Sequence, residues 1–277
     1  MDYHSDRFQD HSLLIFKQEK LVAVFPANQK EQSIQSHGGL SYGGLVYSTK
    51  LRTKDVLNIF SSVLAYYKQF NFSELYYKEV PDIYHSYPSS ETTYALFVYH
   101  AELYRRDISS TIDIKNRLKL SKGRKWLLAR AKKEHIEIEE SVDFTTFFSE
   151  YNKHLNEKYN VSAVHTSEEM KLLQSRFPDQ IKLYIASHES GFLGGTILYC
   201  TKNVIHAQYI HFTEKGKEMG AFDLLMDHIL ETYQNRRYFD FGISTEQDGR
   251  YLNEGLISFK ESFGARATVC DFYKLVL

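Results

Sequence analysis

Apolar positions along this chain fall into short runs separated by longer stretches of helical spacing. Residues 13–17 (Leu-Leu-Ile-Phe-Lys) and 21–25 (Leu-Val-Ala-Val-Phe) flank the polar pair Gln18 and Glu19. Run length and β-branched content predict a β-hairpin there. A glycine-rich stretch at 37–44 leads into a short apolar strand at 45–47. From about Thr53 the apolar residues are Val56, Ile59, Phe60, Val63, Leu64 and Tyr67. That is the i, i+3, i+4, i+7 spacing of one buried helix face. A strand at 75–80 follows, ended by Pro81, and residues 92–104 predict the strand that closes this half.

The same order recurs downstream. A strand at 183–186, a turn at 188–191 and a strand at 192–199 predict a second hairpin, followed by a strand at 204–212. Phe222, Leu225, Met226, Ile229, Leu230 and Tyr233 repeat the spacing of the first helix, and a strand at 238–241 comes next. Four elements in one shared order predict a duplicated mixed α/β unit. The halves are 1–113 and 114–277, the second opening on a basic helix and a strand at 135–139.

With 277 residues there is room for two ordinary domains and their cores. Hydrophobic residues at 43% and charged residues at 25% exclude a disordered chain. Aromatic residues reach 15%, which fits core packing or a wall for stacking sugars. A net charge of -1 gives no global attraction to nucleic acid or membrane, so any charged-ligand site has to be local. One such place is 114–133, which holds Lys115, Arg117, Lys119, Lys122, Arg124, Lys125, Arg130, Lys132 and Lys133 and no acid beside them. Trp126, Leu127 and Ala131 supply an apolar stripe. The segment fits either a solvated helix face or a docking surface for phosphates, on a nucleotide-linked substrate or an RNA end.

The first eleven residues are polar and carry Asp2, Asp6 and Asp10, unlike a signal peptide. The apolar run at 94–99 is too short to span a bilayer. The expected location is the cytoplasm, with no membrane span. Cys200 and Cys270 stand alone and the 12 histidines show no HExxH spacing, so no metal is expected. His206 and His211, five apart in a strand, are expected on opposite faces.

Three segments carry candidate chemistry. Gly39-Leu-Ser41-Tyr-Gly43 fits G-x-S-x-G, but polar residues precede it and a strand follows, so it is not a nucleophile elbow. The loop at 214–221 offers Gly216, Lys217, Gly220 and Ala221 before a helix, where exposed N–H groups and the helix dipole favour a pyrophosphate, although Glu218 opposes one. At 239–265, Asp240 and Ser244 fall at the carboxyl end of a strand, where α/β sheets bind ligands. Lys260 beside Phe259 is either a neutraliser of a developing oxyanion or a surface lysine.

The runs F-D-F-G-I-S from Phe239, N-x-G-L from Asn253 and F-K-E-S-F-G-A from Phe259 resemble the C-terminal signature of FemAB-like and related polysaccharide-biosynthesis acyltransferases. S-Y-G-G-L from Ser41 resembles their first-half motif, and together the likeness covers most of the chain. The resemblance implies two tandem GNAT-like domains and transfer of an acyl or aminoacyl group to an amine. It implies that Phe259 and Lys260 lie at the reaction centre, Lys260 stabilising the tetrahedral intermediate. Asp240 is the expected proton acceptor and Tyr251 the expected donor to the leaving group. Ser41, Tyr42, Gly43, Ser244, Asn253 and Phe259 are expected to touch substrate.

Acyl-CoA, acetyl-CoA above others, is the first expected donor. The expected acceptor is a sugar or cell-envelope precursor, small or carried on a lipid or nucleotide. The first alternative is an aminoacyl-tRNA-dependent transferase acting on a peptidoglycan precursor. The second is a non-catalytic module that binds a glycan or a partner protein. The chain departs from tRNA-dependent members in its length and in lacking an inserted helical arm. It departs from GNAT enzymes in matching R/Q-x-x-G-x-G/A only loosely, as Lys217-x-x-Gly220-Ala221.

Overall fold

The computed structural model describes residues 5–277. Residues 1–4, with Asp2 of the polar N-terminal stretch, lie outside the described residues. In chain order the elements are β1 (Gln9–Asp10), β2 (Leu13–Lys17), β3 (Lys20–Phe25), β4 (Asn28–Lys30), β5 (Ser33–Gln35), β6 (Val46–Tyr47), α1 (Thr53–Gln69), β7 (Glu74–Lys78), α2 (Glu91–Val98) and β8 (Glu102–Asp113). They continue with α3 (Lys122–Ala131), β9 (Glu137–Ser141), α4 (Phe144–Tyr159), α5 (Ser167–Arg176), β10 (Ile181–His188), β11 (Gly191–Cys200), β12 (Val204–Phe212), α6 (Glu214–Met219) and α7 (Ala221–Thr232). Last come β13 (Tyr238–Ile243), β14 (Thr245–Glu246), β15 (Tyr251–Leu252), α8 (Glu254–Glu261) and β16 (Arg266–Val276). Two compact units result. One holds residues up to 108 with 245–252 and 268–277, and the other holds 109–244 and 253–267. The two short segments that join the first unit belong, by sequence order, to the second half.

In the first unit β2 and β3 form the expected hairpin, turning through Gln18 (φ 49°) and Glu19 (φ 63°). Paired positive φ values match the twist of the flanking strands. β3 also pairs with β6. A separate sheet runs β1-β4-β5-β7-β16-β8, with β5 parallel to β7. The strands on either side of α1 therefore lie in different sheets. α1 buries Val56, Phe60, Val63 and Tyr67 in a core with Phe25, Leu75 and Tyr77. The strand expected at 92–104 is corrected: 91–98 is helical and the strand begins at Glu102. Thr92, Ala95 and Leu96 are the buried residues, and that spacing serves a helix face, not a pleat.

The second unit runs β8-β13-β12-β11-β10-β9 and is antiparallel except for the parallel pair β12–β13. α7 buries Phe222, Leu225, Met226, Ile229 and Leu230 in a core with Leu198, Ile205, Phe239 and Phe263. A second core joins Phe144, Phe147 and Phe148 of α4 to Ile185, Ile197 and Tyr209. Each such side chain contributes ~1.5–3 kcal/mol on burial. A sheet covered on both faces explains why these strands read as continuous apolar runs. The basic helix is shorter than expected, since α3 starts only at Lys122, where Ser121 accepts a hydrogen bond from Arg124 N. Ala131 is buried as expected, but Trp126 is 63% exposed and lies off the apolar stripe.

One irregularity in this unit reassigns faces. Ile197 pairs with Tyr209 and Leu198 with Ala207, so the register shifts by one residue, Gln208, in β12. Ile205 and Ala207 before it, and Ile210 and Phe212 after it, all pack into the α7 core, while Tyr209 joins the other core. The alternation inverts at this bulge. His206 and His211 therefore share a face, which corrects the expectation of opposite faces.

Candidate active site

β12 and β13 pair over Val204–Tyr238, Ile205–Phe239 and His206–Asp240, and the ladder stops there. Past this rung the carboxyl ends of two parallel strands separate, the setting in which α/β sheets take ligands. The last rung is polar. Asp240 Oδ2 lies 3.0 Å from His206 Nδ1. Asp240 Oδ1 accepts from Ser109 Oγ, and from Gly242 N at 3.1 Å. The Asp240 side chain is 2% exposed and that of His206 is 11% exposed. Donation from Nδ1–H to the carboxylate assigns the tautomer with the lone pair on Nε2.

α8 brings Lys260 to the same place. Asn253 N donates to Ser244 O at 2.9 Å, and Asn253 Oδ1 caps α8 by accepting from Leu256 N at 2.9 Å. The helix is thus tied to the end of β13. Lys260 is buried, and its Nζ donates to Gly242 O at 2.8 Å and Ile243 O at 2.7 Å. Burial pushes the amine down to about 8, partly countered by the Asp240 carboxylate. Ser244 is buried, with its Oγ sealed and without a hydrogen-bond partner. Asp240, Ser244, Asn253, Phe259 and Lys260 all belong to this unit.

A cavity of about 730 Å³ opens in the same unit, lined among others by Phe259, Phe222, Arg124, Asp223, His211 and Lys217. The Phe259 ring sits 5.3 Å from Phe222 and 5.4 Å from Phe263, and the Arg124 guanidinium lies 4.7 Å over it. Arg124 also donates to Asp223 Oδ2 at 3.1 Å. Burial, then His154 and Lys217, push His211 down to about 4, so its imidazole is neutral at neutral pH. Phe259 faces this cavity, while the next residue, Lys260, turns its amine to the strand end.

The segment 214–221 is not the open loop expected. Residues 214–219 form α6, capped by Thr213 Oγ1, which accepts from Gly216 N at 3.1 Å. A Cβ on Gly216 would lie 2.2 Å from Leu193 O, and one on Gly220 (φ 75°) 2.8 Å from Leu127 O. Both glycines serve close backbone packing rather than approach to a ligand. Ala221 is buried, and the buried Asp223 in the first turn of α7 sets an anion at that helix end. Of the four residues expected to hold pyrophosphate, Lys217 alone lines the cavity, and it pairs with Glu214 at 2.6 Å.

The remaining candidates lie in the first unit. Tyr42 Oη lies 2.5 Å from Tyr84 Oη. A Cβ on Gly43 would lie 1.9 Å from Ser36 O, and one on Gly39 would meet the Phe8 ring at 2.6 Å, so packing accounts for both glycines. Ser41 sits in the bend between them, with neither strand before nor helix after. Tyr251 is 52% exposed on β15, which pairs with β14.

Residues 115–251 match the family described as an acetyltransferase (GNAT) domain. Among solved structures, the crystal structure of FemX aligns with a TM-score of 0.71 at 8% identity, over 99% of this chain and 90% of that one. L-PGS from Bacillus licheniformis aligns at 0.63 and 11% identity, over 92% and 81%. A tandem GNAT protein from the clavulanic acid biosynthesis pathway aligns at 0.52 and 9% identity, over 96% and 82%. The chain has the GNAT fold in its FemAB-like, tandem form. No match to a curated protein sequence was found. The GNAT match includes β12, β13 and Asp240 but ends before α8, which carries Phe259 and Lys260. Among the described residues, no helix is long and apolar enough to cross a membrane, and no group of three His, Cys, Asp or Glu is placed to hold a metal ion.

Sequence reasoning placed His206 and His211 only as strand residues and Arg124 only within the basic run, and missed Ser109 and Asp223. A signal for His206 existed: it is the third residue of the strand before the helix, and Asp240 is the third of the strand after it. Parallel pairing in step joins them.

Proposed function

We propose that the second unit transfers an acyl group to an amine, and that its donor is an aminoacyl ester such as aminoacyl-tRNA, ahead of acyl-CoA. The observation that carries acyl transfer is the buried Asp240–His206 rung with the Lys260 amine, set where β12 and β13 part. The acyl group occupies the cavity beside Phe259. The neutral acceptor amine bonds through its nitrogen to the carbonyl carbon and, as that bond forms, gives a proton to His206 Nε2, while Asp240 holds the ring and supports the imidazolium. Lys260, with a third N–H beyond the two given to Gly242 and Ile243, stabilises the oxyanion. Collapse breaks the C–O bond of the ester, and the imidazolium returns the proton to the departing oxygen. Asp240 thus acts through His206, because its own carboxylate is sealed.

The donor preference rests on α6 and α7. Packed glycines and the Asp223 carboxylate disfavour the pyrophosphate of CoA at the start of α6 and α7, which supports this preference. The exposed Lys115, Lys119, Lys122, Lys125 and Lys133 supply positive charge for an RNA end. The FemAB-like resemblance supports an amine of a cell-envelope precursor as acceptor, and a cytoplasmic setting goes with this donor. In this reading the chemistry is carried by 109–244 and 253–267, within the half expected to begin at 114 except for Ser109 and its neighbours.

Single-turnover assays with acetyl-CoA, longer acyl-CoAs and aminoacyl-tRNA test the reading, with a lysine-bearing muropeptide as acceptor. Transfer from aminoacyl-tRNA is expected, slowed about 100-fold by Lys260→Met. The rate is expected to fall above about pH 8, as the amine loses the proton that makes it cationic. Transfer from acyl-CoA alone would reverse the donor assignment. Binding without turnover by any donor would make the unit a non-catalytic module.

A further inference from the structure

The first unit repeats the strand–helix–strand–helix order of the second: β6, α1, β7, α2 against β12, α6 with α7, β13, α8. In the second unit the strands flanking the helix stay paired for three residues and then part. In the first they share no ladder, because β6 pairs with β3 while β7 pairs with β5 and β16. A cavity of about 420 Å³ lies there, lined by residues of β6, the segment 77–80, the turn at 84–89 and the start of α2.

Its lining differs in charge from that of the cavity in the second unit, where Arg124 and Lys217 stand with the Asp223 carboxylate. Among the described residues, the first-unit cavity is lined by two carboxylates, Glu79 and Glu91, and by no lysine or arginine, with His85 as the remaining ionisable group besides tyrosines. Tyr47, Tyr77, Tyr84 and Tyr87 supply rings. Glu91 Oε2 accepts from Tyr47 Oη at 2.9 Å. Glu79 Oε1 accepts from Thr92 Oγ1 at 2.6 Å, but Glu79 Oε2 is buried without a hydrogen-bond partner. A carboxylate oxygen in that state costs free energy until a donor or a cation reaches it. Phosphate-bearing ligands are repelled here. A cation with an apolar stem is favoured, since carboxylates take its charge and tyrosine faces attract it further.

We propose that this cavity is a binding site for an organic ammonium group, a primary amine on a short carbon chain held by Glu79 and Glu91 among the tyrosine rings. The site is built from the first unit alone and does not depend on the acyl-transfer reading.

The test is calorimetric titration of the full chain with n-butylammonium chloride, and with 1-butanol as the neutral counterpart of similar size. The expected result is saturable binding of the ammonium, at least about tenfold tighter than the alcohol. Glu91→Gln and Glu79→Gln are each expected to weaken it by about tenfold or more, with the near-UV dichroism of the folded chain retained. Glu91 is the second handle should Glu79→Gln disturb the core. Absence of ammonium binding, equal binding of butanol, or affinity unchanged in a folded Glu91→Gln variant would overturn the proposal.

Discussion

Asp240 is, in the sequence, one acid between two phenylalanines; in the fold it accepts from Ser109, His206 and Gly242 and is shut from solvent. In the proposed mechanism its role passes to the imidazole it holds, and that residue was harder to read from sequence than the one supporting it. Glu79 makes the same point through titration. Burial raises its carboxyl to about 7, against the smaller pull of Thr92 and Thr93. Between the usual carboxylate range and pH 7 the folded chain therefore binds a proton that the unfolded chain has released. Stability from this group is full below the unfolded pKa and is lost as pH rises toward 7. Urea titrations across that window are expected to show wild type losing on the order of 1–3 kcal/mol relative to Glu79→Gln. Parallel profiles for the two proteins would show that Glu79 is not buried as described.

Elements are set by finer steric rules than apolar spacing records. The helix faces of α1 and α7 were legible because a period of 3.6 leaves a clear pattern. The register of β12 was not, because one extra residue at the bulge, Gln208, inverts every side chain beyond it. Nor was α6, whose glycines look like a ligand loop until Leu193 and Leu127 are seen against them. Gly216→Ala is expected to cost ~1–3 kcal/mol, as overpacking against the Leu193 carbonyl. Thermal or urea unfolding measures it. A glycine serving a ligand instead would leave stability intact and weaken donor binding.

For the whole molecule, the small net charge conceals local concentrations of opposite sign: the lysines of 115–133 and the carboxylates of the first-unit cavity. Tertiary pairing also thins the basic run, since Arg124 bonds Asp223, Lys132 bonds Asp227 and Arg117 donates to Leu230 O. The exposed lysines nevertheless predict salt-dependent tRNA binding. Affinity is expected to fall roughly tenfold or more between about 50 and 200 mM salt, and Lys119→Glu with Lys125→Glu is expected to flatten the slope. Lack of tRNA binding at low salt, measured by filter retention, would remove RNA from the donor candidates.

From the chain alone one could tell the mixed α/β class, the repeated order of elements and a candidate site in the segment from Asp240 to Lys260, because periodicity and adjacent motifs are local properties. Only the tertiary structure decided that residues 245–252 and 268–277 group with the first unit, that 91–98 is helical, and that His206 meets Asp240. These depend on which surfaces are buried against which, and burial is set by partners distant in sequence.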